Sequence, residues 1–272
     1  MRSEDIDLVA ALCRTRAGLK VDREKTYLIE SRLGALARRE GFGAVEDMLD
    51  ALRARREERM IWSIVEAMAL SETAFFRDRE AFALLRDEIL PGLARERGAK
   101  PLRVWSAACS TGQEAYSLAM MTDALATAAP VEIFGSDLSE RALEKAQSGL
   151  YTQFEVQRGL PIRLLLQHFN KTDEMWSLSP RIRQRVRWKR INLIADLTAL
   201  GRFDVILARN VVSGLDPVAR ARVLQSLAAA LAPDGVLMLG VDETADDAPE
   251  ALRPMPGRRG VFARDPAFQK AA

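Results

Sequence analysis

A chain of 272 residues, 48% hydrophobic and 29% charged, has the composition of a globular protein with either one large domain or a small domain joined to a medium one. A net charge of +2 selects no partner by bulk electrostatics. One histidine (His168) and two distant cysteines (Cys13, Cys109) exclude most metal sites, His-based nucleophilic catalysis and a disulfide framework. No apolar run approaches the roughly 20 residues of a membrane helix. The start Met1-Arg-Ser-Glu-Asp5 leads into an amphipathic segment rather than a signal-peptide core, so a cytoplasmic protein is expected, with no nucleic-acid partner and no insertion into a membrane.

Residues 1–70 read as helical throughout. Asp5 is placed to cap a first helix through Leu8, Val9 and Leu12. Asp22 is placed to cap a second, with Leu28, Ile29, Leu33 and Leu36 on one stripe. Gly41 and Gly43 interrupt the pattern. A third helix follows over Val45–Arg55, and a fourth carries Ile61, Ile64, Val65 and Met68. Basic residues gather at 32–39, 53–59 and 181–190, ordinarily solvated helix faces. Within the second helix Lys25, Arg32 and Arg39 recur every seven residues and so share a face, flanked by Arg38.

A linker and helix over 71–100 precede a change of pattern at residue 101. Leu102–Ala107 reads as a buried strand, followed by a small-residue loop and a helix over Glu114–Ala126. Val131–Ser136 is a second strand, with helix Glu140–Ser148 behind it. Further strands are expected at Val186–Ile191, Phe203–Ala208, Gly235–Gly240 and Gly260–Ala263, the last as an edge, with a helix over Pro217–Leu231. This alternation predicts a doubly wound, mainly parallel α/β sheet spanning 101–272. Residues 150–185 break it and read as an inserted subdomain, a helix and then one or two strands. Asp246–Arg259 reads as a loop.

Ligands on such sheets bind at the carboxyl ends of the strands. The loop Ala107-Ala-Cys-Ser-Thr-Gly112 stands at one such end. It suits either close backbone approach to a ligand or an ordinary tight turn. Glu114, at the start of the next helix, suits either a cationic amino group or the helix dipole. Asp137 ends the second strand and suits either two ribose hydroxyls or a helix cap. Arg209-Asn210 ends the fourth strand, and Asn192, just past the third, fits the same rim with an amide for an adenine edge. Arg77, beside Phe75-Phe76, suits either a bidentate carboxylate contact or a surface position beside a packing anchor.

These segments stand in a telling order: Thr73-Ala-Phe-Phe-Arg77, Arg103-Val-Trp-Ser-Ala-Ala-Cys-Ser-Thr-Gly-Gln-Glu-Ala-Tyr-Ser117, Phe134-Gly-Ser-Asp137, Ala142–Tyr151, Ile191-Asn-Leu193, Phe203–Val211 and Pro233-Asp-Gly235. Together they resemble the CheR family of chemotaxis receptor methyltransferases. The resemblance implies a Rossmann-like class I methyltransferase domain, an inserted β-subdomain over 150–185 and an N-terminal receptor-docking domain over 1–70. It implies S-adenosylmethionine as cofactor, bound by Thr73, Arg77, Glu114, Asp137, Asn192, Leu193, Arg209 and Asn210. Arg77 and Asn210 would also serve the transfer itself, and Lys25, Arg32, Arg38 and Arg39 would dock the receptor. The implied substrate is a set of glutamates on the cytoplasmic helical bundle of a chemoreceptor. Two alternatives share the same residues: a cofactor-binding signalling module with weak or no methyl transfer, and a methyltransferase for another substrate.

The chain departs from the family pattern at three places. Asn210-Val-Val-Ser-Gly-Leu-Asp216 puts Gly214 where the family usually has a tyrosine. Ser71 replaces an asparagine, and Gly240-Val-Asp-Glu243 replaces Gly-His-Ser-Glu.

Overall fold

The structure is a computed structural model that describes residues 1–69, 72–125 and 129–268. Two compact units divide the chain: Met1–Leu70 with Ser213–Arg222, and Ser71–Val212 with Val223–Ala272. A simple cut at residue 70 therefore misses one piece, the short segment 213–222.

In the first unit, α1 (Ser3–Ala17), α2 (Thr26–Arg39), α3 (Val45–Arg55) and α4 (Glu58–Met68) turn apolar stripes inward. Helix α1 buries Asp5, Val9, Cys13 and Ala17, spaced by four, and α4 buries Met60, Ile61, Ile64 and Val65. Asp22 does not cap α2, and Asp5 caps α1 from inside its first turn, accepting the Arg2 backbone N–H at 3.2 Å. Asp5 lies inside α1, fully buried, and accepts Arg2 Nε at 2.9 Å and Arg53 Nη2 at 2.6 Å. Burial pushes its pKa up, but the hydrogen bonds from Arg2 and Arg53 outweigh that and hold it at about 2. Asp22 forms a turn ahead of α2, taking the Glu24 N–H at 3.1 Å and pairing with Lys25. The 213–222 segment is stitched into this unit by backbone bonds. Lys20 N–H donates to the Gly214 carbonyl at 2.9 Å, Asp216 N–H donates to the Gly18 carbonyl at 2.8 Å, and Leu19 bridges Leu215.

The second unit opens with a helical run, α5 (Arg79–Leu84), a π-turn at Leu85–Ile89 and α6 (Leu90–Arg97). There follow β1 (Leu102–Ala107), α7 (Gln113–Asp123), β2 (Val131–Asp137) and α8 (Glu140–Ser148). The expected end of α7 at Ala126 lies outside the described residues. The insertion comprises β3 (Leu150–Thr152), α9 (Gln153–Gln157), α10 (Ile162–His168), β4 (Phe169–Thr172), β5 (Met175–Leu178) and α11 (Pro180–Arg183). The chain returns through β6 (Val186–Arg190), β7 (Phe203–Ala208), α12 (Pro217–Ala230), β8 (Leu231–Leu239), β9 (Leu252–Pro254) and β10 (Val261–Arg264).

Seven strands form the main sheet in the order β6-β2-β1-β7-β8-β10-β9, parallel from β6 to β8 and antiparallel beyond. Strand β7 is buried along its whole length, as a central parallel strand must be. Each of its large apolar side chains contributes about 1.5–3 kcal/mol by burial. Connectivity reverses between β1 and β7, which makes the crevice at their carboxyl ends the topological switch point.

Two sequence expectations need correction here. Strand β10 is not the edge; it lies between β8 and β9, and β9 forms inside the segment expected to be loop. A three-residue strand ending in proline has no periodicity to announce it, and Pro254 is tolerated because β9 is the edge. The insertion also begins with a strand, not a helix. Leu150–Thr152 pairs with β5, giving a small sheet ordered β3-β5-β4.

Candidate active site

A narrow cleft opens at the β1/β7 switch point, lined by Glu72, Thr73, Arg77, Ser110, Glu114, Arg209 and Asn210, with Ala74, Ala108 and Cys109. Its walls come from three backbone segments. The loop after β1 turns sharply: Ala108 and Ser110 hold φ of 57° and 51°, and Gly112 holds 92°. A Cβ on Gly112 would stand 2.8 Å from the Ala146 Cβ and 3.0 Å from the Trp188 ring, so only glycine fits there. The segment before α5 also bends, with Phe76 at 47° and Asp78 at 57°, and Asn210 after β7 holds 59°. Five of the seven positive-φ non-glycine residues among those described thus gather at the cleft, the pattern expected where a site is held in a costly shape.

Glu114 sits at the floor. One carboxylate oxygen accepts Ser106 Oγ at 2.7 Å, and the other accepts Arg209 Nη1 at 3.0 Å. Burial pushes its pKa up, against the opposing pull of Arg209 and of the Ser106 hydrogen bond. Arg209 is only 7% exposed. It turns back into the protein, donating from Nη2 to Asp78 Oδ2 at 2.5 Å and to the Arg77 carbonyl at 2.8 Å. Its Nε is buried with no partner among the described residues. Arg209 is therefore a brace between the two walls as well as part of the lining, which its place after β7 did not reveal.

Asp137 stands behind the loop. Its carboxylate accepts Ser110 N–H at 2.7 Å and Ser139 N–H at 2.9 Å, and burial raises its pKa against those bonds. The cap of α8 is Ser139, whose Oγ accepts Ala142 N–H at 3.2 Å. The capping alternative for Asp137 is thereby removed. Cys109, in the same loop, is buried, and desolvation together with the charges of Asp137 and Glu114 drives its pKa well above the ordinary thiol value, so it is no nucleophile.

Of the residues expected at the site, Thr73, Arg77, Glu114, Arg209 and Asn210 line the cleft together. Asp137 adjoins it through Ser110. Asn192 and Leu193 do not line it. They follow β6, where Asn192 Oδ1 accepts Ile194 N–H at 3.3 Å and Leu193 is buried. In α2 the expected basic face is partly spent internally. Arg32 Nη1 donates to the Met68 carbonyl at 2.7 Å at the end of α4, Lys25 pairs with Asp22, and Arg39 approaches Glu40 at 3.6 Å, while Arg38 is exposed. The basic stretch 181–190 is likewise engaged, with Arg181 and Arg185 both on Asp123. Ser71 lies outside the described residues. Glu243 was missed as a working residue. It is buried and holds the Asn210 backbone, and its only sequence signal was the late Gly-x-x-Glu stretch.

A small-residue loop at a switch point, an acid at the following helix and a second acid ending β2 suit an amino acid joined to a nucleoside. This donor set is chemically compatible with S-adenosylmethionine. The fold and cleft are those of a class I methyltransferase. The family model described as "CheR methyltransferase, SAM binding domain" matches residues 71–261, and "CheR methyltransferase, all-alpha domain" matches residues 4–62. The chain is 32% identical to chemotaxis protein methyltransferase 1 of Pseudomonas aeruginosa, over 96% of this chain and 97% of that one. It is 30% identical to chemotaxis protein methyltransferase Cher2 of Pseudomonas putida, over 90% and 92%, and 33% identical to the Escherichia coli chemotaxis protein methyltransferase, over 86% and 82%. The chain belongs to the CheR methyltransferase family, and its cofactor is S-adenosylmethionine. Among the described residues no helix is long and apolar enough to cross a membrane.

Proposed function

We propose that this protein methylates glutamate side chains on the cytoplasmic helical bundle of chemoreceptors, forming glutamyl methyl esters, and that it works in the cytoplasm. The observation that carries the reading is the presence, in one cleft, of both the Arg77 guanidinium and the Glu114 carboxylate. One suits an incoming carboxylate and the other the cofactor's ammonium group.

When bound, the cofactor would supply an electrophilic methyl group on a sulfonium, to which an ionised carboxylate is a sufficient nucleophile. A glutamate is already ionised at pH 7, so no residue of this chain has to remove a proton. What the chain supplies is placement. Glu114 would hold the ammonium and Asp137 the ribose hydroxyls. Asn192 and Leu193, after β6 and outside the cleft lining, would meet an adenine that extends beyond it, and Thr73 lines the near wall. Arg209 keeps the walls together, Asn210 shapes the rim beside the reacting atoms, and Arg77 orients the carboxylate. Lys25, Arg32, Arg38 and Arg39 make α2 the basic helix of the docking unit.

Incubation with methyl-labelled cofactor and receptor cytoplasmic fragments tests this. Base-labile label on receptor glutamates is expected; base-stable label, or none, refutes it. Gly214, in place of the family's tyrosine, favours a second reading in which the same cleft binds the cofactor but turns over slowly or acts on another substrate.

A further inference from the structure

Outside the residues already discussed, one cation stands against a residue of the cleft wall. Arg158, at the end of α9 in the insertion, places Nη2 3.1 Å from Glu72 Oε2. Glu72 lines the cleft, yet its side chain is 82% exposed. Its backbone carbonyl meanwhile accepts Arg77 Nη1 at 2.8 Å. One residue thus covers two guanidinium groups, its carboxylate on Arg158 and its carbonyl on Arg77.

Arg158 is not a loose surface arginine. The next residue, Gly159, holds φ +87°, and a Cβ there would come 2.0 Å from the Phe75 carbonyl oxygen. The turn carrying Arg158 therefore lies directly on the backbone of the segment that ends in Arg77. Phe75 is itself fixed: fully buried, its ring stands edge-on to Tyr151 at 5.1 Å and to Phe169 at 5.7 Å. Tyr151 in turn donates its hydroxyl to the Thr111 carbonyl in the loop after β1, at 2.8 Å. Beside Arg158, the Phe154 ring lies 5.6 Å from the guanidinium carbon and is 66% exposed, an apolar surface next to a cation. Charge flanked by apolar surface is what the carboxylate and methylenes of a glutamate side chain require.

We propose that Arg158 recognises the substrate carboxylate at the mouth of the cleft, and that Glu72 stands in for that carboxylate until the substrate displaces it. This rests on the reading of the protein as a glutamate methyltransferase. An ion pair this exposed contributes little to folding, so exchanging one carboxylate for another is nearly neutral. The expected effect falls on KM. Methyl transfer neutralises the carboxylate, so the attraction to Arg158 is strongest before the reaction and does not lower the barrier.

The test uses the full chain, methyl-labelled cofactor and receptor cytoplasmic fragments, with melting curves to confirm folding. Arg158→Gln should raise KM for the fragment about tenfold, change kcat less than about twofold, and leave the calorimetric affinity for the cofactor unchanged. Arg158→Lys should recover part of the lost affinity. Glu72→Gln should lower KM, by about threefold. The opposite signs decide the matter, because a purely structural ion pair is broken equally from either side and both variants would then act in the same direction. An unchanged KM in Arg158→Gln, or shifts of the same sign in both variants, overturns the proposal while leaving the glutamate methyltransferase reading intact. Absence of receptor labelling by the wild type removes both.

Discussion

Glu243 accepts the backbone N–H of Asn210 at 2.6 Å, and the same oxygen accepts the Gly240 N–H at 2.9 Å. A buried carboxylate thereby ties together the residues following β7 and β8 and holds Asn210 at its φ of 59°. Each such bond to a charged acceptor contributes about 1.5–3 kcal/mol. Glu243→Ala should lower the melting temperature and weaken cofactor binding together, while Glu243→Gln, which keeps an acceptor oxygen, should retain most of both. Calorimetry showing Glu243→Ala binding the cofactor as the wild type does would contradict this role.

If Glu114 holds the cofactor's ammonium group as proposed, it sets an acid limit on binding. Burial raises its folded-state pKa above the ordinary 4.5, with Arg209 and Ser106 opposing. As pH falls through that raised value the carboxylate takes up a proton and loses its charge for an ammonium group. Affinity for S-adenosylmethionine should therefore decline on acidification at a pH where an exposed glutamate is still ionised, and level off above it. Glu114→Gln should bind weakly at all pH values and lack the inflection. A wild-type affinity that stays flat down to pH 4.5 would count against Glu114 as the ammonium site.

Gly214 has open space around it: a Cβ there meets nothing within 4 Å. It belongs to a short 3-10 turn, Val212–Gly214, and its carbonyl takes the Lys20 N–H, so the turn is anchored, contrary to the flexibility its glycine suggests. The neighbouring Leu215 is 4% exposed and paired with Leu19, so it does not swing to fill in for a missing ring. Gly214→Tyr is expected to fold normally, leave cofactor affinity unchanged and raise turnover on receptor glutamates, up to about a hundredfold if alignment is what the wild type lacks. Gly214→Ala should do little. A brisk wild-type rate that Gly214→Tyr abolishes would show that this chain does not need the family's tyrosine at that position.

Docking through α2 is best tested at Arg38 and Arg39. Reversing Arg32 would remove its bond to the Met68 carbonyl at the end of α4, confusing lost docking with lost packing. The double variant Arg38→Glu, Arg39→Glu should lower the rate of receptor methylation at limiting fragment concentration, with a salt dependence smaller than wild type and cofactor affinity unaltered. Equal methylation rates across salt would leave the face as mere surface.

Much of this site was legible because chemistry follows strand ends. Leu102–Ala107 and Phe203–Ala208 are mostly apolar strands buried along almost their whole length, so the polar residues after them had to reach the sheet's rim. Asp137 was legible for the same reason. What spacing concealed was direction. Arg209 and Asp78 stand 131 residues apart, and nothing local shows that the arginine turns inward to meet it. The cap role of Asp5 was legible, but its second charged partner, Arg53, lies 48 residues on and left no local sign. Strand β9 escaped notice because three residues on an edge carry no period.

The first unit is built from two separate stretches of chain. A gene fragment encoding residues 1–70 alone would lack Leu215, whose burial and pairing with Leu19 complete that unit, and a fragment beginning at residue 71 would carry 213–222 with its backbone partners Gly18 and Lys20 deleted. Recombination at a single point near residue 70 thus transplants neither unit intact. Any functional chimera between relatives must inherit residues 1–70 and this ten-residue segment from the same parent, so the N-terminal helices and the turn at 213–222 are bound to evolve as one heritable block.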